Sequence, residues 1–337
     1  MKAYQITGKD GLASLERVEL EDPTEPQRGE ITVRVRACSL NYRDSMNVMG
    51  LHGISGPLPR IPCSDAAGEV LAVGPDCGGW LPGQRVVIPF MPTWLEGEFS
   101  REHSAAALGG ACDGVLREFI TLPATSIVPL PDGISLDAAS TLPCAAVTAW
   151  QALRVRRPVK AGETVLILGS GGVSIFALQL AKAAGARVLA TTSCPEKAAR
   201  LRALGADAVH QYRNDPAWDE WALAQTGGVG VDHVVEIGGA QTLNRSLHAV
   251  RFGGHIALIG VLTGTKGEIN TVQVLRKGID LNGIYVGSRA MLAEVVDAMG
   301  RERWQPVIDG TYEFDQAIEA FRRLESGLHV GKLVIRV

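Results

Sequence analysis

The pattern of apolar positions divides the chain into two parts. From Met1 to about Pro123, short runs of alternating apolar and polar residues are separated by Gly and Pro, as in ITVRVRACSL, AAGEVLAVG and QRVVIPF. Such runs predict β-strands joined by turns, and hence an irregular β domain. Between Pro89 and Gly114 the sequence has no clean period, which indicates a long loop.

After Pro158, short apolar runs recur with helical patterns between most of them. The runs are TVLIL, RVLATT, DAVHQY, VDHVVEIG, HIALIG and IDLNGIYV. Apolar residues three or four positions apart in the intervals indicate amphipathic helices, and the first two are expected to stop at Gly185 and Gly205. Strands that alternate with helices predict a doubly wound parallel sheet in an α/β protein.

The end of the chain predicts one more helix and one more strand. The helix is expected to have Asp315 as its N-cap and to stop at Gly327, and KLVIRV should form the strand. A strand this apolar must pair with another, so we expect it to rejoin the first domain. The expected domains are a discontinuous β domain of residues 1–125 and 290–337, and a doubly wound domain of residues 126–289.

Composition and charge exclude several classes of function. The chain has 337 residues, of which 46% are hydrophobic and 20% charged, which is typical of a compact protein with two cores. A net charge of -3 offers no basic surface for nucleic acid or an anionic membrane. The N-terminus lacks the apolar core of a secretory signal, and we expect a cytoplasmic protein. The six cysteines contain no C-x-x-C pair, so neither a disulfide framework nor a zinc ribbon is expected.

The segment TVLILGSGGVSIFALQLAKAAG combines a strand, a glycine turn and a helix, which predicts a dinucleotide site. Gly169 allows the tight turn, and Gly171 lets the backbone approach a pyrophosphate at the helix N-terminus. Ser174 stands where a third small residue is usual, and we expect it to pack closely against the sheet. The alternative is a glycine-rich turn without a ligand. The expected contacts are Gly169, Ser170, Gly171, Gly172 and Val173.

The residues after the second strand of this domain favour NADPH over NADH. An Asp or Glu at that point usually binds the ribose 2′-hydroxyl of NAD, and the segment ATTSCPEKAAR lacks it at the strand end. Thr192 and Ser193 offer hydroxyls and Lys197 offers a cation, which suit a 2′-phosphate. Lys197 could instead be an ordinary solvated helix residue.

Taken together, these segments resemble the medium-chain dehydrogenase/reductase superfamily over nearly the whole chain. The resemblance rests on ACSLNYRD, IPCSDAAGEVLAVG, LPCAAVTAW, LGSGGVS and IYVGSR, in this order. It implies a GroES-like twisted β domain that carries both chain ends, a Rossmann domain between them, and an active site in the cleft. It also implies a homodimer, paired through the edge strand in KGIDLNGIYV. The further cofactor contacts that it implies are Thr148, Tyr212, Gly260, Val261, Val286, Ser288 and Arg289. A surface aromatic without a ligand is the alternative for Tyr212.

Zinc-dependent members of this family take their catalytic metal ligands from three of these segments. The matching positions in this sequence hold Asn41, Ser64 and Cys144. Asn and Ser are poor zinc ligands, and Asp65 with Cys144 alone would hold the metal weakly. The sequence therefore predicts no metal site and resembles the zinc-free, quinone oxidoreductase-like branch.

The function expected from these residues is zinc-independent hydride transfer from NADPH to a quinone or an α,β-unsaturated carbonyl. Such acceptors are electrophilic enough to react without a Lewis acid. The candidate catalytic residues are Asn41, Tyr42, Ser64 and Asp65. The first three could bind the acceptor oxygen, and Tyr42 could also donate a proton.

Several alternatives to these roles stay open. Asn41 could only cap a turn or touch the cofactor, Tyr42 could only line the cleft, and Asp65 could have a purely structural role. For the whole protein the alternatives are a zinc-free NAD(P)-dependent alcohol or aldehyde dehydrogenase, a non-catalytic NADPH-binding protein, and a zinc enzyme with altered ligands.

Overall fold

The computed structural model describes residues 1–51, 57–302 and 304–337, which form two compact units. The first unit contains Met1–Val147 and Val286–Val337, and the second contains Thr148–Tyr285. The first unit thus carries both chain ends, and it extends past residue 125, where the sequence placed its boundary. The reason is that a strand at Val128–Pro129 pairs with one at Arg85–Ile88 and so continues the sheet of the first unit.

Most of the predicted strands are present. The strands of the described residues are β1 (Lys2–Ile6), β2 (Leu15–Glu19), β3 (Glu30–Ser39), β4 (Asp65–Val73), β5 (Arg85–Ile88), β6 (Phe119–Pro123), β7 (Val128–Pro129), β8 (Thr164–Leu168), β9 (Arg187–Thr192), β10 (Ala208–Gln211), β11 (Val231–Glu236), β12 (Val250–Leu258), β13 (Asp280–Gly283), β14 (Ile308–Glu313) and β15 (Lys332–Arg336).

Helices connect these strands, most of all in the second unit. They are α1 (Tyr42–Val48), α2 (Arg101–Ala105), α3 (Leu136–Ser140), α4 (Val147–Trp150), α5 (Gly172–Ala183), α6 (Pro195–Ala203), α7 (Trp218–Gln225), α8 (Leu243–Ala249), α9 (Thr271–Lys277), α10 (Arg289–Glu302) and α11 (Ala317–Glu325). Shorter 3₁₀ or π turns cover Gly11–Ser14, Ala124–Ser126, Leu142–Ala146, Gln151–Arg156 and Phe314–Gln316.

The main sheet of the first unit has the strand order β14-β15-β3-β4-β5-β7, and β6 also pairs with β3. Strand β3 forms because β-branched residues alternate with polar ones, and it buries Ile31, Val33 and Val35. Strand β15 lies between β14 and β3, so the predicted return of KLVIRV to the first domain is confirmed. Antiparallel pairing of β3 with both β4 and β15 brings the end of β3 to the starts of the other two.

The helix near the C-terminus differs from the prediction at its start. Asp315 lies inside the 3₁₀ turn Phe314–Gln316, and α11 begins at Ala317. The Gln316 side chain accepts a hydrogen bond of 2.9 Å from the Glu313 N–H. The N-cap of the turn is therefore Glu313 and not the predicted Asp315. The predicted stop at Gly327 is confirmed, since α11 ends at Glu325 and Gly327 has φ 61°.

The predicted long loop between Pro89 and Gly114 is confirmed apart from one short helix. Only α2 interrupts the loop over these residues, all of which the structure describes. The Leu108 N–H donates to the Phe90 carbonyl at 3.1 Å, and this bond draws the two ends of the loop together.

The second unit is a parallel six-stranded sheet with the order β10-β9-β8-β11-β12-β13. Each of the six apolar runs forms one strand, as predicted, and α5 and α6 end near Gly185 and Gly205, whose φ angles are 77° and 104°. Strands β9 and β10 lie on one side of β8, whereas β11, β12 and β13 lie on the other, so the strand order switches sides between β8 and β11. Ligands of such sheets bind at the carboxyl ends of the strands, at this switch point.

Among residues 1–51, 57–302 and 304–337, none of the helices combines the length and the hydrophobicity that a membrane crossing would require.

Candidate active site

A buried polar cluster lies in the first unit where β3, β4 and β15 adjoin. Asn41 follows β3 and is the N-cap of α1, Asp65 begins β4, and Lys332 begins β15. Ser39 lies opposite Asp65 in one strand pair and opposite Val334 in the other, so the register brings Lys332 beside Asn41. These residues, with Ser39 and Ser64, are called the Asn41 cluster.

The ammonium group of Lys332 is the charged centre of the Asn41 cluster. Its Nζ donates to the Leu40 carbonyl and to Asn41 Oδ1, both at 2.6 Å, and to Asp65 Oδ2 at 3.4 Å. The side chains of Lys332 and Asp65 are 2% and 0% exposed. An ammonium has three N–H donors, so these three acceptors use all of them.

The carboxamide of Asn41 is oriented by this contact. Because an ammonium can only donate hydrogen bonds, the Asn41 atom that faces Lys332 must be the oxygen. The amide nitrogen Nδ2 is then directed elsewhere, and it is buried without an acceptor among the described residues. An unsatisfied buried donor is costly, so Nδ2 is available to an acceptor atom of a ligand or of a water molecule.

The backbone of Asn41 is fixed by Asp44. Asp44 Oδ2 accepts the Asn41 N–H at 2.8 Å. Complete burial raises the pKa of Asp44 to about 6, although the charge of Arg43 opposes the increase. Arg43 itself donates to the Leu108 carbonyl at 2.8 Å and lies over the Phe90 ring at 4.5 Å. The start of α1 is therefore held rigidly.

Ser64 and Asp65 are engaged with each other and with their neighbours. Ser64 Oγ donates to Asp65 Oδ1 at 3.1 Å, and Ser39 Oγ lies 3.3 Å from Asp65 Oδ2. Ser64 and Asp65 are both completely buried. The single O–H of Ser64 is thus donated to Asp65, which removes the basis for the suggestion that it binds the acceptor oxygen. Asp65 serves as the charge partner of Lys332.

The remaining residues of interest around this cluster differ in exposure. Tyr42 is the first residue of α1 and is 44% exposed, so its phenol is open to solvent or to a ligand. Cys144 lies in the turn Leu142–Ala146, where burial and the charge of Asp65 raise the pKa of its thiol. Cys38 lies in the apolar core of the first unit.

The glycine turn of the second unit presents free backbone N–H groups to solvent. Gly171 is the N-cap of α5, so the first N–H groups of the helix, at Gly172 and Val173, have no partner within the helix. Gly169 has φ 72°, and a Cβ atom built on Gly171 would meet no atom within 4 Å. Ser174 is completely buried and donates to the Leu168 carbonyl at 2.6 Å, which confirms its predicted packing role. The turn fits a pyrophosphate.

A cavity of about 430 Å³ adjoins the glycine turn at the carboxyl ends of the strands. Its lining includes Gly169, Thr191, Tyr212 and Ile237. Tyr212 is 40% exposed and its N–H donates to the Thr192 carbonyl at 3.0 Å. Thr192 Oγ1 is buried and has no hydrogen-bond partner among the described residues. Ser193 and Lys197 are half-buried on the following turn and helix.

Glu236 shapes the rim of this cavity and was missed by the sequence reasoning. Its buried Oε1 accepts hydrogen bonds from the Gly238 N–H, the Gly239 N–H and Thr242 Oγ1 at 2.7, 2.9 and 2.7 Å. The carboxylate thereby fixes the loop after β11. Glu236 ends the strand VDHVVE directly after two valines, and this acid at the end of a strand is the signal that could have found it.

The other predicted cofactor residues are distributed over both units. Thr148, Gly260 and Val261 lie in the second unit, and Val286, Ser288 and Arg289 lie in the first. A Cβ on Gly260 would clash with the Ile237 carbonyl oxygen, so packing alone requires glycine there. Arg289 Nη2 donates to the Ile127 carbonyl at 3.0 Å. The Ser288 hydroxyl accepts the Met291 N–H at 3.3 Å at the start of α10. Their cofactor contacts remain predictions.

Two family models match the chain. The alcohol dehydrogenase GroES-like domain matches residues 27–132, and the zinc-binding dehydrogenase matches residues 172–301. A zinc-type alcohol dehydrogenase-like protein of Schizosaccharomyces pombe is 39% identical over 97% of this chain and 96% of its own length. The chain belongs to the medium-chain dehydrogenase/reductase superfamily. The GroES-like domain and the Rossmann sheet expected from the sequence are thereby confirmed.

Two further similarities bear on the chemistry of this member of the superfamily. An acryloyl-coenzyme A reductase of Metallosphaera sedula is 29% identical over 99% of both chains. A solved NAD-dependent alcohol dehydrogenase matches all of both chains with a TM-score of 0.90 at 32% identity. Both similarities agree with an oxidoreductase of this superfamily.

The zinc implied by some of these family names does not fit the residues of the Asn41 cluster. No group of three His, Cys, Asp or Glu side chains within residues 1–51, 57–302 and 304–337 is placed to hold a metal ion. In addition, the Lys332 ammonium donates to both Asn41 Oδ1 and Asp65 Oδ2, and a second cation beside it would be repelled.

Proposed function

We propose that this protein is a zinc-independent, NADPH-dependent oxidoreductase that transfers hydride to a quinone or an α,β-unsaturated carbonyl. The observation that carries the proposal is the buried, unpartnered Nδ2 of Asn41 next to an ammonium group. A neutral donor at this place suits an oxygen that gains negative charge during the reaction. The similarity to an acryloyl-coenzyme A reductase supports an α,β-unsaturated acceptor.

When bound, the nicotinamide supplies the hydride. In the enone case the β-carbon of the acceptor gains the hydride. The π pair of the carbon–carbon double bond then forms a double bond between the α-carbon and the carbonyl carbon, and the π pair of the carbonyl group moves to its oxygen. Asn41 Nδ2 donates a hydrogen bond to this oxygen as its negative charge develops. The exposed phenol of Tyr42, directly or through water, supplies the proton that completes the reduction.

The preference for NADPH is proposed from the residues that follow β9. Thr192 Oγ1 is a buried hydroxyl without a partner among the described residues, and Ser193 and Lys197 are half-buried after it. Hydroxyls and a cation suit a phosphate on the ribose, whereas a carboxylate at this place would repel it. Thr192 is thus expected to find its missing partner in the bound nucleotide.

The proposal is tested by acceptor screening with NADPH, together with Asn41→Ala and Tyr42→Phe. Loss of one hydrogen-bond donor to a developing oxyanion lowers kcat by roughly 10²–10³-fold, and this loss is expected for Asn41→Ala on enones. Tyr42→Phe is expected to lower kcat less, because water can replace the phenol. If both variants retain full kcat on enones and quinones, the site is assigned wrongly.

A second candidate function is a zinc-free alcohol or aldehyde dehydrogenase that uses NAD(P). The similarity to an NAD-dependent alcohol dehydrogenase favours it. Reduction of simple ketones and of enones under the same conditions separates the two functions. A higher kcat/KM for simple ketones with NADH would favour the second.

We also propose that the protein forms a homodimer through β13, together with the helix that precedes it. Strand β13 lies at the edge of the six-stranded sheet, and an open edge of this kind is usually paired or covered. Val272 and Leu275 on α9 are 51% and 80% exposed. Sedimentation equilibrium should give twice the chain mass, and a monomer at micromolar concentration would contradict the proposal.

A further inference from the structure

We propose that Lys332 is a positioning residue for the reduction, because it holds the Asn41 carboxamide with its NH₂ group directed at the acceptor oxygen. This inference rests on the proposed function, in which Asn41 is the donor. It adds a residue at the far end of the chain, 291 positions from Asn41, to the catalytic machinery.

Lys332 acts through Asn41 and does not touch the acceptor. Its three N–H groups are directed at the Leu40 carbonyl, Asn41 Oδ1 and Asp65 Oδ2. Its side chain is 2% exposed. No donor of the ammonium is therefore left for a substrate atom, which distinguishes its role from that of a residue that binds the oxyanion directly.

The contact decides which of two amide orientations Asn41 adopts. A carboxamide can rotate by half a turn at little cost, since oxygen and nitrogen have nearly the same size. With Lys332 present, the rotated form would direct the NH₂ group at an ammonium and leave Nζ without an acceptor. Without Lys332, the form that directs Oδ1 at the acceptor becomes accessible, and its dipole would repel the developing charge.

The contact also makes the Asn41 NH₂ group a better donor. A hydrogen bond from a charged donor to the amide oxygen draws electron density from the nitrogen, and this polarisation strengthens the bonds that the N–H groups donate. Asp65 keeps the buried pair neutral as a whole, so the ammonium is retained in a site that would otherwise reject it.

The distances argue against a purely structural ion pair. Nζ lies 2.6 Å from Asn41 Oδ1 and 3.4 Å from Asp65 Oδ2. An ion pair that served only to join β15 to β4 would be expected to have the shorter contact between the two charges. The ammonium instead lies closer to the amide, which is the group that the proposed reaction uses.

The test is a double-mutant cycle between Asn41 and Lys332, measured on kcat for an enone with saturating NADPH. Lys332→Met alone leaves Asp65 buried without a partner and could prevent folding. The cycle therefore uses Lys332→Met/Asp65→Asn as one combined change, in the wild-type and Asn41→Ala backgrounds. Circular dichroism and the Tm of every variant show that it is folded.

The expected result is strong non-additivity. The combined change should lower kcat at least tenfold in the wild-type background, by analogy with the roughly 10²–10³-fold effect of a lost oxyanion donor. In the Asn41→Ala background it should alter kcat by less than about twofold, since residues that act as a unit are non-additive. KM for NADPH should stay unchanged in both.

A matched control is Lys277→Met. The Lys277 ammonium also donates to three acceptors, the carbonyls of Leu247, His248 and Val250 at 2.8, 2.7 and 2.7 Å. It lies in the second unit, where it holds the end of α8. This variant should lower Tm and leave kcat unchanged, which shows what the loss of a structural lysine does.

The two proposals fail in different ways. If Asn41→Ala retains full kcat, the donor role of Asn41 is wrong, and with it the proposed site. If Asn41→Ala lowers kcat while the combined change lowers it by the same factor in both backgrounds, only the positioning role of Lys332 is wrong. If the combined change lowers Tm but not kcat in the wild-type background, Lys332 is a structural lysine like Lys277.

Discussion

The proposed preference for NADPH over NADH is testable at the side chains that follow β9. Lys197 lies on α6, one turn beyond Thr192 and Ser193, with its side chain half-buried. Lys197→Ala should lower kcat/KM for NADPH by roughly tenfold to a hundredfold, since a hydrogen bond to a charged group contributes about 1.5–3 kcal/mol. The value for NADH should change by less than about twofold in either direction.

Lys182→Ala is the control for this prediction. Lys182 lies on α5 and its ammonium contacts Asp207 at 2.9 Å, so its charge is already paired within the protein. Steady-state kinetics with both coenzymes should show no change in the NADPH-to-NADH ratio for this variant. Equal losses with both coenzymes in Lys197→Ala would show that Lys197 has no part in recognising the phosphate.

Among individual residues, the sequence predicted the polar ones that lie next to glycine turns or strand ends, because their spacing from these features is visible in the local sequence. Asn41 and Thr192 were found in this way, and both have a buried atom without a partner among the described residues. Lys332 was missed. It stands at the start of the apolar strand KLVIRV, and only the pairing of β15 with β3 brings it to Asn41. A contact over 291 residues leaves no local pattern.

Two glycines among the predicted cofactor contacts differ in the space around them. Gly171 is the N-cap of α5 and has φ -75°, which any residue can adopt, and its Cβ would enter open space. Gly171→Ala should therefore leave Tm nearly unchanged and raise the Kd for NADPH at least about tenfold, because the methyl group occupies the space of the pyrophosphate. Isothermal titration calorimetry measures the affinity.

Gly260→Ala provides the contrast. A Cβ at this position would overlap the Ile237 carbonyl oxygen, and overpacking of this kind costs about 1–3 kcal/mol. Its main effect should be a lower Tm. The interpretation of the two glycines is wrong if Gly171→Ala unfolds the protein, or if it binds NADPH as tightly as the wild type does.

Strands and helices were predicted well wherever apolar periodicity was strong. All six runs of the second unit form strands, and the four central ones are mostly buried. The edge strands β10 and β13 are only partly buried. The start of α11 was predicted less well. Asp315 is of a residue type that often caps helices, but the Gln316 side chain caps the preceding turn instead. Two adjacent capping residues cannot be ranked by residue type alone.

The stability of the whole molecule should depend on pH through two buried groups of opposite sign. In the second unit, desolvation and then the neighbouring His233 lower the pKa of His255 to about 4. Asp280 and Asn282 favour the charged form, and Arg157 opposes it. His233 contacts Glu163 at 2.9 Å and lies 3.3 Å from His255.

The sign for His255 follows from linkage. The unfolded chain binds a proton near pH 6.5 and the folded one near pH 4, so the contribution is present above pH 6.5 and is lost as the pH falls towards 4. The free energy of unfolding of the wild type should fall by about 2–3 kcal/mol more than that of His255→Gln over this range. Urea unfolding at pH 7 and pH 4.5 measures the difference.

Asp44 in the first unit acts in the opposite direction. Its pKa is raised to about 6 from 3.8, so its contribution is present below pH 3.8 and is lost as the pH rises through 6. Asp44→Asn should therefore remove a loss of stability with rising pH, whereas His255→Gln removes a loss of stability with falling pH. The two effects oppose each other in the wild type, so its pH profile alone would show neither. If the two variants and the wild type have parallel pH profiles, the burial of these groups has no thermodynamic effect.

The division into two units was predicted in outline and not at its boundary. The sequence indicated a change of pattern after Pro123, but β7 and α3 follow that point and still belong to the first unit. Strand β7 has only two residues, Val128–Pro129, too few to show a period, so its pairing with β5 could not be foreseen.

We propose above all that hydride reaches an electrophilic acceptor in this protein without a metal ion. The most direct test is NADPH oxidation with an enone by protein dialysed against a chelator, with its zinc content measured on the same sample. We predict full kcat at far less than stoichiometric zinc, and no gain when zinc is added back. A kcat that falls with the zinc content and returns on its addition would contradict the account.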